Sequence, residues 1–555
     1  MRTKLIFILL AFVSVHFVGA QSPAIKLNIN AKNTIGEMLP IYAYFGYDEP
    51  NYTYYENGKK LLGEIADLSP VPVYVRTHNL LTTKEGEPDL KWGFTNVYTE
   101  DKHENPVYDW TIMDKILGAQ VENGLVPLVE LGFMPKALST NPEPYKHEWS
   151  TNGPLWTGWT YPPTNYEKWA ELIYQLVLHE IEVYGKDEIK KWLWEVWNEP
   201  DIGYWSGTFE EYCKLYDYAA DAVKRACPEC TIGGPHTTSP RGRSGSTFLQ
   251  NFLEHCLNGT NYVTGEKGSP LDYIGFHAKG NPVMVDDHIQ MNMGVQLKDI
   301  EEGFKIIKGF PEYKDLPIIV GECDPEGCAA CSWKRDPKYG YRNGTVYPSY
   351  TASSFAKIYE LMDEYEVNLK GALTWAFEFE DQEWFAGFRE LASNGVDKPV
   401  MNVFRMFGMM KGQRVAVTGN PYSAEKVIQQ GIRRQPDING MACVDENEMT
   451  IMIWNYHDDD ILGEINDIEL SIENLPDSPV LMQHYRVDQE FSNSYAMWQK
   501  LGAPQNPTEE EYQNVEEAGH LKLLTSPKWI NIENNAAKIE FSLPRQGVSF
   551  IKLEW

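Results

Sequence analysis

Between about Leu39 and Met410 the chain alternates short apolar runs with longer stretches whose apolar residues recur every three to four positions. The runs are "LPIYAYFGY", "VPVYVRTH", "LVPLVELGF", "WLWEVWNEP", "TIGGPH", "LDYIGFHAKG", "LPIIVGECD" and "LKGALTWAFEFE". Their length and β-branched or aromatic content predict buried strands. Between them, "TNYEKWAELIYQLVLHEIEVYG" places Trp169, Leu172, Ile173, Leu176 and Val177 on one helical face, and "SYTASSFAKIYELMDEY" reads similarly. Eight strands, each followed by a helix, predict an α/β fold of the (β/α)8 TIM-barrel type over residues 39–411. An open doubly wound sheet is the alternative, but no Gly-rich phosphate loop follows any run.

Past about Gly412 the pattern changes. "EMTIMIWNYH", "DIELSIENL", "VLMQHYRVD", "HLKLL", "AKIEFSL" and "VSFIKLEW" alternate in period two between Asn, Asp, Gly and Pro, which predicts an antiparallel β-sandwich domain over 412–555. The segment 21–38, with "AIKLNINA", is a further strand expected to join it.

The first residues, "MRTKLIFILLAFVSVHFVGAQ", combine a basic start, a short apolar core and the small-residue end Val18-Gly19-Ala20. They predict a signal peptide over 1–20 and a secreted or periplasmic bacterial protein. No later stretch has the length of an apolar membrane span, and no Cys follows the expected cut, so no membrane anchor is expected. Removing Arg2 and Lys4 leaves 47 basic against 79 acidic residues, a net charge of −32. Such a surface repels phosphate backbones and argues against nucleic acid as a partner. The 17 Trp and 32 Tyr suit a neutral, ring-shaped ligand such as a sugar. Two C-x2-C pairs, Cys227/Cys230 and Cys328/Cys331, have zinc-ligand spacing, but they lie close to a hundred residues apart in an oxidising compartment. Disulfides or unpaired buried thiols are expected there, with no metal and no cofactor.

Barrel chemistry sits at the C-terminal strand ends. Those ends supply His78, Glu130, Asn198 and Glu199, His236, His277 and Lys279, Glu322, and Glu378 with Glu380. In "KWLWEVWNEPD" a tryptophan-rich strand stops at an amide, a carboxylate and a proline. Glu199 closes the fourth strand and Glu322 the seventh, across the barrel mouth, as a pair of carboxyls must be to cleave a glycosidic bond. Asn198 is placed to bond a sugar 2-hydroxyl, whereas Glu195, four residues back, reads as an ion pair in the barrel wall.

"WNEPD", "VYVRTH", "STFLQNFLEHCLNGTNYVTGEKGSPLDYIGFHAKG" and "GECDP" resemble the family 39 glycoside hydrolases, which include β-xylosidases and α-L-iduronidases. "HYRVDQEFSNSYAMWQKLGAPQNPTEEEYQ" is similar to that family's C-terminal β-domain. The resemblance implies a retaining enzyme with Glu199 as general acid/base and Glu322 as nucleophile. It further implies a substrate pocket containing His78, Asn198, His277 and Lys279, with Trp333 and Arg389 as further substrate-binding positions. Lys279 and "ECDP" look more like the iduronidase branch, while "TWAFEFEDQEWFAGF" looks like the xylosidases. "CDPEGCAACSW" is a cysteine-rich insertion that departs from the iduronidase branch.

The expected function is therefore an exported, exo-acting glycosidase that removes a terminal sugar from an oligosaccharide or glycan side chain. Glu378 and Glu380, crowding the eighth strand end, favour a neutral β-D-xyloside or α-L-arabinoside over a uronide. A pocket-wall Lys279 paired with one of those acids fits the same reading. The alternatives are an α-L-iduronidase-like hydrolase, a carbohydrate-binding barrel without catalysis, and a transglycosylase.

Overall fold

The computed structural model describes residues 23–47, 49–83, 93–147, 155–419 and 422–555. The expected signal peptide over 1–20 lies outside the described residues. Eight parallel strands form the barrel: Tyr44–Tyr47, Tyr74–Thr77, Val126–Leu131, Leu193–Val196, Thr231–Thr237, Tyr273–Lys279, Ile318–Asp324 and Leu369–Ala372, the last continuing as Thr374–Trp375. They pair in chain order, and Thr374–Trp375 closes the ring against Phe45–Gly46 of the first strand. All eight expected strands are present, each followed by a helix from Glu56–Ala66 to Pro399–Met409.

Local chemistry explains the helices. Tyr166–Tyr184 begins where the Asn165 side chain accepts from Lys168 N–H and ends at Gly185, whose φ of 85° suits glycine. Its Trp169, Leu172, Ile173, Leu176 and Val177 are buried against the barrel. Phe209–Ala226 starts with a capping box between Thr208 and Glu211. Val346–Tyr365 is buried on nearly all sides because it is shared between the two sheets. Its Ser353 and Lys357 meet Asp437, and its Ser349 meets Gln546, of the second sheet's segment.

The second sheet has nine strands and is mostly antiparallel. The N-terminal strand Ile25–Glu37 belongs to it, antiparallel to Gln413–Thr418 and parallel to Asn466–Glu473. Its inward residues, among them Leu27, Ile451, Leu470, Ile539 and Leu553, make one apolar cluster, as expected of a sandwich. The segment "FSNSYAMWQKLGAPQNPTEEEYQ" is not strand. It holds the helices Ser494–Lys500 and Glu509–Gly519. Trp498 and Val515 from them pack on Trp384, Phe385 and Val396, so this excursion buttresses the loop after the eighth barrel strand.

Candidate active site

Strand register decides which side chains meet at the barrel mouth. The sixth and seventh strands pair His277 with Glu322 and Lys279 with Asp324. Period-two alternation then sends all four side chains to the same face. The third and fourth strands likewise pair Glu130 with Glu195. Two carboxylates side by side in a barrel interior need a cation, and Arg76 of the second strand supplies it. Its guanidinium, fully buried, donates to Glu195 at 2.5 and 2.8 Å and lies 3.3 Å from Glu130.

The same guanidinium builds outward. Nη2 donates to Asn198 Oδ1 at 2.9 Å, and Nη1 lies 2.7 Å from His78 Nε2 and 3.2 Å from Glu322 Oε1. A guanidinium only donates, so the oxygen of Asn198 must face Arg76 and its NH2 is left for a ligand. The chain bends sharply here: Trp197 and Glu199 are both left-handed, at φ of 71° and 46°. Such a conformation is costly for non-glycine residues and turns the two flanking side chains out of the strand pattern. Glu199 N–H is caught by the His236 carbonyl at 3.0 Å. His236 in turn fills space that no Cβ could share, since one built on Gly275 or Gly321 would fall 2.2 and 2.1 Å from its ring.

Glu199 and Glu322 present carboxylate oxygens to each other and to His277, the three ligand-type atoms all lying within 4.8 Å. Their environments differ. Among the described residues the Glu199 carboxyl has one hydrogen-bond partner, His277 Nδ1 at 2.9 Å, and burial together with the Glu322 charge pushes its pKa up to about 8. Burial also acts on Glu322, but the Lys279 charge, the His78 hydrogen bond and the Arg76 charge outweigh it and hold that carboxyl well below the usual range. Lys279 Nζ is 2.6 Å from Glu322 Oε2. His277, deeply buried, is pushed well below the usual imidazole range and stays neutral. One carboxyl is thus protonated and its neighbour ionised at neutral pH.

A cavity of about 300 Å³ opens over this pair. His78, Asn198, Glu199, Glu322 and Trp375 form its floor, Tyr204 one side, and residues of 327–339 the other. Of the expected pocket residues, His78 and Asn198 line it, and His277 and Lys279 support the two carboxyls from beside it. Two others lie elsewhere. Trp333 is 44% exposed and outside the cavity wall, its backbone N–H bonded to the Ala386 carbonyl. Arg389 is fully buried beneath the wall, where Asp324 at 3.3 Å and Glu326 at 2.6 Å take its charge.

Lys279 is not paired with Glu378 or Glu380 as expected; register gives it to Glu322 and Asp324. Glu378 accepts from Gly395 N–H and Glu380 from Asn57, and neither lines the cavity. Glu195 is the wall ion pair that its position inside the strand suggested. Sequence reading passed over Arg76 in "VYVRTH" and over the cavity-lining Tyr204, Arg335, Tyr339 and Trp375. A lone arginine one pleat inside a strand, opposite two inward glutamates, was the available signal for Arg76.

Both C-x2-C pairs form disulfides, Cys227–Cys230 and Cys328–Cys331, while Cys213, Cys256, Cys323 and Cys443 are free and buried. Neither pair is left to bind zinc. Among the described residues, the only groups that bring metal-ligand types together are Glu199–His277–Glu322 and Asp114–His179–Glu180. The first is already neutralised by Lys279 and Arg76. The second lies on two outer helices, with His179 Nε2 bonded to Asp114 at 2.7 Å.

A barrel with opposed carboxyls at its fourth and seventh strand ends defines a glycoside hydrolase. The model for glycosyl hydrolases family 39 matches residues 28–532, and the chain belongs to that family. It is similar to a β-xylosidase of Caldicellulosiruptor saccharolyticus, 25% identical over 441 residues, 78% of this chain and 80% of that protein. It is also similar to an α-L-iduronidase of Mus musculus, 24% identical over 437 residues, 74% of this chain and 63% of that protein. The crystal structure of a monomeric β-xylosidase from Caulobacter crescentus CB15 shares the fold, with a TM-score of 0.72 at 21% identity over 96% of this chain and 99% of that one.

Proposed function

We propose that the protein is a retaining, exo-acting glycosidase that releases a terminal neutral sugar, a β-D-xylose or α-L-arabinose, from a plant-type glycan after export. The closeness of Glu199 and Glu322 supports retention. Carboxyls about 5–5.5 Å apart leave no room for a water between them and the sugar, whereas inverting pairs stand about 6.5–9.5 Å apart. In the first step the Glu322 carboxylate attacks the anomeric carbon, the glycosidic C–O bond breaks, and Glu199 gives its proton to the departing oxygen. In the second, Glu199, now ionised, takes a proton from water as that water attacks the anomeric carbon and Glu322 leaves. Neutral His277, 2.9 Å from Glu199, orients that carboxyl without competing as an acid. The free NH2 of Asn198 is the donor for the 2-hydroxyl.

The choice of a neutral sugar rests on one observation: the two cations offered by the sequence are consumed within the protein. Lys279 is held between Glu322 and Asp324, and Arg389 between Asp324 and Glu326. A uronate entering the cavity finds neither one unpaired. Comparing kcat/KM on aryl β-D-xyloside, aryl α-L-arabinoside and aryl α-L-iduronide tests this, and faster cleavage of the iduronide rejects it. An NMR spectrum of the first product tests the stereochemistry: it should keep the substrate's anomeric configuration. Both carboxyls stand ready in opposite protonation states, which favours catalysis over a binding-only barrel. The ratio of transferred to hydrolysed sugar separates a transglycosylase.

A further inference from the structure

We propose that the disulfide-closed turn Cys328–Cys331 is a substrate-positioning wall, and that opening the disulfide weakens sugar binding without disabling the catalytic carboxyls. This rests on the cavity being the glycosidase site, but not on which sugar it takes.

More than half of the cavity lining comes from one loop after the seventh barrel strand, Gly327, Cys328, Ala329, Ala330, Cys331 and two residues beyond. From 327 to 331 no side chain is larger than cysteine, so the turn shows the ligand a smooth, largely apolar surface. Such a surface can cover the C–H face of a pyranose but cannot hold itself in place, because small side chains anchor little.

The anchoring is done from behind. Arg342, fully buried and outside the cavity, donates to the carbonyls of Cys328 at 2.7 Å, Ala329 at 3.2 Å and Cys331 at 2.8 Å, and also to Glu326 and Gly387. Arg389 N–H adds a bond to the Ala329 carbonyl at 2.9 Å. Three carbonyls from a four-residue turn can converge on one guanidinium only while the turn stays tightly closed, and the Cys328–Cys331 bond closes it. The loop leads directly from Glu322 through Asp324 and Glu326, yet the carboxyl pair itself is fixed by Arg76, Lys279 and His277 on other strands. Loosening the wall therefore acts on binding before it acts on chemistry.

The disulfide is reachable, because Cys328 is half-buried and faces the cavity, whereas Cys227 and Cys230 are fully buried. Dithiothreitol would reduce it by two successive thiol–disulfide exchanges. Two electrons and two protons pass to the cysteines, leaving two thiols and oxidised cyclic dithiothreitol.

The test measures kcat and KM on whichever aryl glycoside the wild type cleaves fastest, so a wrong choice of sugar changes the substrate and not the comparison. In the Cys328→Ser/Cys331→Ser double variant KM should rise about tenfold, the loss of roughly one to two good hydrogen bonds, with kcat within about threefold. Dithiothreitol should reproduce the KM rise in the wild type, reoxidation should reverse it, and the double variant should not respond. If that variant does not fold, the reductant titration on wild type decides alone. An unchanged KM in the variant or in the reduced wild type overturns the proposal. So does a fall in kcat at constant KM, which marks a structural role.

Discussion

Lys279 Nζ stands 2.6 Å from Glu322 Oε2, and its other close partner is Asp324, its register neighbour on the adjacent strand, at 2.9 Å. The same lysine in a family with uronic-acid members could be read as a carboxylate receptor. Its position instead makes it the counter-ion that keeps Glu322 ionised, and that role carries several consequences.

Replacing Lys279 by Ala should lower kcat/KM on a neutral aryl glycoside by roughly a hundredfold, the scale of losing one aimed charge at a reacting group. The ratio of xyloside to iduronide rates should change little. Steady-state kinetics on both substrates checks this. A variant that loses only a preference for the iduronide would assign the lysine to substrate charge.

The rate should follow a bell-shaped pH profile. Glu322, held well below the usual carboxyl range, sets an acid limb displaced downward, and Glu199 sets a basic limb at about 8. Activity is lost above that limb because Glu199 must carry its proton to serve the leaving group. In kcat/KM plots, Glu199→Gln should remove the basic limb. It should also spare aryl substrates with good leaving groups far more than oligosaccharides.

Arg76 is expected to be structural and catalytic at once. Arg76→Met leaves Glu130 and Glu195 buried without a cation and should destabilise the fold by about 3–5 kcal/mol. Denaturant titration of that variant, and of Arg76→Met/Glu195→Met, measures the coupling. The double variant should recover part of the loss, because only a stranded charge makes the single change so severe.

Glu180 offers a stability test away from the active site. It is fully buried, with neither oxygen bonded to any described residue, and burial followed by the Asp114 charge pushes its pKa well above the usual range. A raised carboxyl pKa means the folded state binds more protons than the unfolded one. Its stabilising share is therefore complete below the unfolded pKa near 4.5 and is lost as pH rises toward the folded value. Glu180→Gln should gain on wild type as pH rises from 5 to 8, by at most about 1.4 kcal/mol per pH unit. Melting curves across that range read the difference, and a constant gap contradicts it.

The barrel was legible because each of its strands is an apolar run ending in a polar residue, and "WNEPD" and "GECDP" mark two such ends. Reading strand ends found Glu199, Glu322, His78 and His277, because these point into the mouth. The same habit hid Arg76, which sits one residue inside its strand end and acts through five partners, Glu130, Glu195, Asn198, His78 and Glu322, that only register reveals. Trp333 and Arg389 were drawn from resemblance and not from strand position: the cysteine-rich loop carries Trp333 out of the cavity wall, and Arg389, in the loop after the eighth strand, is drawn beneath it by Asp324 and Glu326. The helices at 494–519 were missed because their apolar residues serve a neighbouring loop, so their sequence lacks a broad core-facing stripe.

Glu322 as the nucleophile at the anomeric carbon and Glu199 as its proton partner are the central assignments. The most direct test incubates wild type with the 2-deoxy-2-fluoro analogue of its fastest aryl glycoside, then maps the labelled peptide by mass spectrometry. The account predicts one fluoroglycosyl group per chain, esterified to Glu322, forming also in Glu199→Gln when the leaving group is good and absent from Glu322→Gln. A label on any other residue, or turnover of the analogue with inversion and no adduct, would contradict it.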